Sequence, residues 1–142
     1  MNKQDVYREI EQTFGLVPSM FRDVPDGLLE HEWKLFSKIQ LEDGAIPQKY
    51  RELIGLAISG VTKCRYCVYY HTEVARLFGA TDEEIEAAVH YAKSTAGWST
   101  YVNGLKVDYE QFCREVDQAC AHVRSLQSQT APTEQASASA VH

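Results

Sequence analysis

Apolar residues in this chain recur at intervals of three and four over most of its length, and no segment alternates with period two for long enough to form a strand. A chain patterned in this way buries its apolar side chains as helices, so the expected fold is all-α, a bundle of about six to seven helices. Residues 2–13 are polar and helix-favouring, with Val6, Ile10 and Phe14 four apart and Gly15 as the stop. A second pattern carries Leu29, Trp33, Phe36 and Ile39 and closes at Gly44. Pro47 suits a first helical turn, and Tyr50, Leu53, Ile54, Ala57, Ile58 and Val61 then make a broad apolar face that stops near Gly60 to Lys63. Thr81 and Glu84 read as a capping box opening a helix with Ile85, Ala88, Val89 and Ala92. From Trp98 the apolar positions 98, 102, 105, 109, 112, 116, 120 and 123 predict one long helix that runs through Gly104. After Arg124 the residues are small, polar and aperiodic, which sets the expectation of a single domain over 1–124 and a disordered tail over 125–142.

The passage Cys64-Arg65-Tyr66-Cys67-Val68-Tyr69-Tyr70-His71 places two thiols and an imidazole within two helical turns. At about 100° per residue, Cys64, Cys67, His71, Val74, Ala75 and Phe78 share a face, and both thiols and the ring are expected to point inward. Cys67 and His71 are four apart, close enough for the imidazole to reach the sulfur directly or through a water. Cys64 and Cys67 stand one turn apart, a separation that a disulfide accepts. The cluster is therefore a redox site or a metal site. Structural zinc takes four ligands, and only His31 or Glu52 would be left to complete the shell. Cys113 and Cys120 lie about 10 Å apart along a shared helix, too far to bridge each other, and are expected in the core.

Only a thiolate is a strong nucleophile, so a buried cysteine needs a base, and an imidazole oriented by a carboxylate supplies one. By periodicity alone Glu52 falls beside Gln48 and Ser59 at the edge of a polar face and reads as solvated. Tyr66, Tyr69 and Tyr70 read as packing or interface residues, and His31 and His90 as surface residues; His122 has no evident partner.

A net charge of −6 and a pI near 5.3 leave no basic face for nucleic acid or an anionic membrane. The N-terminal residues lack an apolar signal core, and no run approaches the roughly 18 apolar residues that span a bilayer, so a cytoplasmic location is expected. Four cysteines are too few for a disulfide scaffold. The helical pattern also excludes the thioredoxin fold that C-x-x-C alone would invite, and there is no phosphate-binding glycine loop, Gly-x-Ser-x-Gly or His-Glu-x-x-His.

Glu52, eleven further residues, and then C-x-x-C-x-x-x-H from Cys64 through Cys67 to His71 reproduce a family signature. With Val17-Pro18-x-x-Phe21 upstream and Gly79-Ala80-Thr81-x-x-Glu84-Ile85 downstream, the chain from about Phe14 through Phe112 resembles the AhpD-like alkylhydroperoxidases of the carboxymuconolactone decarboxylase superfamily. The resemblance implies a helical redox enzyme that reduces peroxides. Cys67 would be the attacking thiolate, Cys64 would resolve the sulfenic acid into a Cys64–Cys67 disulfide, and His71 and Glu52 would form a proton relay. It implies no bound cofactor or metal, an external reductant (a lipoyl protein, a thioredoxin-like protein or a small thiol), and assembly as a homotrimer or hexamer. Some members carry a second histidine between the cysteines. Tyr66 stands there in this chain, a hydrogen-bond donor but a poor base, and is retained as an auxiliary residue. Alternatives are the superfamily's lactone-acid decarboxylation, whose enzymes generally lack the cysteine pair, and a non-catalytic oligomer that is redox-switched or zinc-binding.

Overall fold

The computed structural model describes residues 1–130. Among them every regular element is a helix: α1 (Lys3–Phe14), α2 (Ser19–Arg22), α3 (Asp26–Phe36) with a π-helical continuation (Ser37–Leu41), α4 (Gln48–Val61), α5 (Arg65–Leu77), α6 (Asp82–Gly104) and α7 (Tyr109–Thr130). The all-α class expected from the apolar spacing is what the chain adopts. One domain over 1–124 is the expectation from sequence; the packing gathers into two compact units, Met1–Lys93 and Ser94–His142, with the division inside α6.

The first unit is built on an aromatic core. Val6 and Ile10 of α1, Phe21 of α2, and Leu29 and Trp33 of α3 are buried, with Phe14 and Phe36 packed against them. The rings of Phe14, Phe21, Trp33 and Phe36 all meet one another, at centroid separations from 5.3 Å (Phe21–Phe36) to 6.4 Å (Phe14–Phe21). Most are edge-on, the arrangement that sets a positive ring edge against a negative face. Trp33 donates its indole N–H to Glu9 Oε2 at 3.1 Å, so the large side chain leaves no polar atom unmatched. The helix boundaries follow the predicted stops: α1 begins in a capping box between Asn2 and Asp5 and ends at Gly15.

Helix α4 packs along α5, but not through its apolar stripe. Its buried residues are Glu52, Leu56 and Ser59, whereas Tyr50, Ile54, Ile58 and Val61 are exposed, Ile58 at 58%. Tyr50, Ile54, Ile58 and Val61 of the apolar face read from the sequence thus lie outside the core of this chain. Gly55 and Ser59 explain it, because small side chains let the α4 and α5 backbones approach closely. The Ser59 hydroxyl donates to the Gly55 carbonyl at 2.6 Å and so is buried at no cost in lost hydrogen bonds.

Thr81 and Glu84 do exchange hydrogen bonds at the start of α6: Thr81 N–H donates to Glu84 Oε2 at 2.9 Å and Glu84 N–H to Thr81 Oγ1 at 3.1 Å. The predicted continuous helix from Trp98 is instead broken between Gly104 and Tyr109. Lys106 adopts a left-handed conformation (φ 51°) and Val107 N–H donates back to the Val102 carbonyl, which closes α6. Asp108 then accepts from the Gln111 N–H at 2.6 Å and opens α7 as its cap. Asn103-Gly104 and Asp108 were the signals; the apolar spacing carries straight across the break and conceals them. Helix α7 continues to Thr130, beyond the expected end at Arg124, and the remainder of the expected tail, residues 131–142, lies outside the described residues. No helix among the described residues is long and apolar enough to cross a membrane.

Candidate functional site

The cysteine pair is set by the junction of two helices. At the end of α4, Lys63 turns left-handed (φ 58°) and Cys64 N–H donates to the Ser59 carbonyl at 3.0 Å, closing the helix in a Schellman-type turn. The same Cys64, extended at φ −90° and ψ 98°, is the cap of α5: Cys67 N–H points at its sulfur at 3.5 Å. One residue therefore ends the first helix and starts the second. Capping takes Cys64 off the helical wheel on which its spacing had placed it.

The two thiols differ in surroundings. Both are free; Cys64 is half-buried and Cys67 exposed, so the expectation of two inward-facing thiols fails for Cys67. Hydrogen bonding from Cys67, backbone first and then side chain, with help from the Tyr66 backbone, pulls the Cys64 thiol below its ordinary value of 9.0. Cys67 is pushed up, chiefly by its hydrogen bond to Cys64 and then by burial and the Cys64 charge. The two shifts make Cys64 the more acidic thiol of the pair, at a helix N-terminus that favours a thiolate.

One helical turn beyond Cys67, His71 turns its ring toward α4. Its Nδ1 lies 2.7 Å from Glu52 Oε2, and the Glu52 side chain is only 1% exposed. Where Nδ1 donates to this carboxylate, Nε2 is the nitrogen left free to accept a proton. Glu52, read from periodicity as solvated, is among the most buried residues of the chain.

Three residues that the sequence had not suggested hold this pair. Gln48 donates through Nε2 to Glu52 Oε1 at 2.6 Å and to the Gln40 carbonyl at 2.8 Å. Arg51 grips the Ile39 carbonyl at 2.9 Å and the Glu42 carbonyl at 2.8 Å, and donates to Gln48 Oε1 as well. These carbonyls belong to the π-helical end of α3 and the residue that follows it, where the regular helical ladder supplies no donor. Gly55 is the third: a Cβ there would stand 2.4 Å from His71 Cε1 and 2.6 Å from Nε2. The i, i+4 spacing of Gln48 and Glu52 was the available signal for the first.

Tyr70, expected to be a packing residue, meets the His71 ring edge-on at 5.1 Å, and its hydroxyl is raised above the ordinary value by burial and by the charge of Glu52. Tyr66 is 73% exposed; its hydroxyl accepts from Arg65 at 3.2 Å and its ring lies under that guanidinium. Its partner is therefore Arg65, and no bond joins it to the Glu52–His71 pair. Among the described residues no three His, Cys, Asp or Glu side chains converge as metal ligands would. Of the two remaining thiols, Cys113 is half-buried and Cys120 exposed, so the expected core position fails for Cys120, which lies on an exposed stretch of α7.

A capped C-x-x-C, a histidine four residues on and a buried carboxylate from the neighbouring helix define an AhpD-like helical protein. The profile of the Carboxymuconolactone decarboxylase family matches residues 22–110, well over half of the chain, and the chain belongs to that family. It is similar over 78% of its length to the crystal structure of the alkylhydroperoxidase AhpD core from Rhodospirillum rubrum, covering 85% of that chain with a TM-score of 0.68 and 25% identity. A Paracoccus denitrificans protein described as "Uncharacterized protein 4 in cox locus" is 34% identical over 70 residues, 49% of this chain and 63% of the relative. The match thus spans less than two thirds of that relative's length.

Proposed function

We propose that this protein is a thiol peroxidase that reduces organic hydroperoxides with Cys67 and Cys64. The observation that carries the reading is the Glu52–His71 contact beside a C-x-x-C in which Cys64 is the more acidic thiol. His71 Nε2 takes the proton of Cys67, whose thiolate attacks the terminal peroxide oxygen. The O–O bond breaks, Cys67 becomes a sulfenic acid, and the alkoxide leaves as alcohol with the proton from His71. Cys64 gives up its proton and attacks the Cys67 sulfur as a thiolate, forming the disulfide and releasing hydroxide, which that proton turns to water. Exposed Cys67 is then the sulfur that an external thiol reaches, and Cys64, with the lower proton affinity, is the better leaving group.

The reductant proposed is a dithiol or thiol supplied from outside: a lipoyl protein, a thioredoxin-like protein or a small thiol. The exposed stripe of Tyr50, Ile54, Ile58 and Val61 on α4 supports a homo-oligomer, a trimer or a hexamer, and the acidic balance argues against nucleic acid as a partner. The family profile favours a second reading, decarboxylation of a lactone acid, which would survive alkylation of both thiols.

The test is brief exposure of reduced protein to an organic hydroperoxide, followed by intact mass, a tryptic map and the loss of peroxide. A Cys64–Cys67 disulfide stoichiometric with peroxide consumed is expected. Cys67→Ser should abolish consumption, and Cys64→Ser should leave one turnover and a Cys67 sulfenic acid trapped by a dimedone reagent. An unchanged rate in Cys67→Ser rejects the mechanism.

A further inference from the structure

Every residue of α7 from Tyr109 to Gln129 is exposed except Cys113, although Phe112, Val116, Ala119 and Val123 line one side of it at spacings of four, three and four. Phe112 and Val116 are each 43% exposed and Val123 50%. A lone helix in water is marginal, and most helical stability comes from covering an apolar face. Alternating four and three is the seam that a two-helix coiled coil buries. We propose that α7 pairs antiparallel with α7 of a second copy of this chain, about a two-fold axis passing between Asp117 and Gln118.

Size and charge on the helix select this occupant and this register. In a parallel pair identical residues meet, Phe112 on Phe112 and Ala119 on Ala119, so one layer holds the helices apart while another leaves a void. In the antiparallel pair Phe112 faces Val123 of the second copy and Val116 faces its Ala119. Each layer then combines a larger and a smaller side chain, and the helices keep an even separation. On one flank Glu115 faces His122 of the second copy. Glu115 already accepts from Gln111 at 2.7 Å, which orients the carboxylate, and the imidazole offers it an N–H in either protonation state. A shift of one heptad in one direction sets Glu115 against Glu115, and in the other His122 against His122. Only the central register pairs the acid with the base. On the opposite flank it brings Cys113 beside Cys120 of the second copy.

The cysteines make the register measurable. In full-length protein carrying Cys64→Ser and Cys67→Ser, so that the site of the first unit plays no part, Cys120→Ser leaves Cys113 alone and Cys113→Ser leaves Cys120 alone. A short bis-maleimide spans flanking positions of helices whose axes lie about 8–10 Å apart. Neither single-cysteine protein is expected to give a covalent dimer by itself, whereas the two co-expressed are expected to give one. Trypsin cuts at Lys106, Arg114 and Arg124, so the linked peptides are 107–114 and 115–124. Val116→Glu in both chains is expected to abolish the linkage, with any loss of helical circular dichroism confined to the share that α7 contributes. A dimer from either protein alone overturns the register. No dimer from the co-expressed pair, or one that survives Val116→Glu, overturns the pairing.

Discussion

Glu52 Oε2 stands 2.7 Å from His71 Nδ1, joining α4 to α5 through a carboxylate that solvent does not reach. Gln48 supplies the second hydrogen bond to that carboxylate, from a side chain itself anchored on the end of α3. Three successive helical segments therefore converge on one carboxylate–imidazole pair.

Replacing Glu52 separates its structural role from its chemical one. Glu52→Ala leaves the His71 N–H and the Gln48 amide without their acceptor, a loss of about 1–3 kcal/mol for each buried group left unmatched. Urea denaturation should show the lower stability, and peroxide consumption should fall by about 100-fold or more, the lower end of what a positioned base contributes. Glu52→Gln should recover stability but not rate. Equal rates in wild type and Glu52→Ala would remove the relay from the mechanism.

Gly55→Ala tests the seat of the histidine ring. Glycine to alanine in an unobstructed helix stabilises by about 1 kcal/mol. Here the new Cβ would lie 2.4 Å from His71 Cε1, so destabilisation of about 1–3 kcal/mol is expected together with a slower reaction. A rise in melting temperature would show that the ring lies elsewhere.

The thiols should separate by pH. Cys64 is shifted down and Cys67 up from 9.0, so iodoacetamide near neutral pH should label Cys64 ahead of Cys67, as read by peptide mass. The lowered Cys64 value adds stability that is present above the ordinary thiol value and is lost as pH falls through the folded one. The raised Cys67 value does the reverse, present below the ordinary value and lost as pH rises through the folded one. Together they make the pair's contribution greatest near pH 9.0, and a Cys64→Ser/Cys67→Ser protein should lack that maximum. Preferential labelling of Cys67 at neutral pH would contradict this order of acidity.

The outward face of α4 predicts its own phenotype. Ile54→Asp with Ile58→Asp should lower the assembly mass in analytical ultracentrifugation while leaving helical circular dichroism intact, since neither side chain supports the core of its own chain. An unchanged mass would separate this stripe from assembly.

Local residue chemistry determined the helices and most of their ends. Asn2 with Asp5, Thr81 with Glu84, and the left-handed Gly15 and Gly79 act within a few residues of themselves, so the boundaries they set are readable before any tertiary contact forms. The spacing of Glu52, Cys64, Cys67 and His71 was equally legible, and it marked out the candidate site. Tertiary structure decided which sides of those helices are covered. Apolar periodicity reports where a helix carries its hydrophobic side chains, and on α4 these face away from α5, which packs instead on Glu52, Gly55 and Ser59. The burial of Glu52, the support from Gln48 and Arg51, the exposure of Cys67 and the break before Tyr109 depend on residues meeting across helices or on caps that override a continuous stripe. Such contacts leave no period in the chain, because a hydrogen bond across a close helix pair constrains two positions rather than a repeating face.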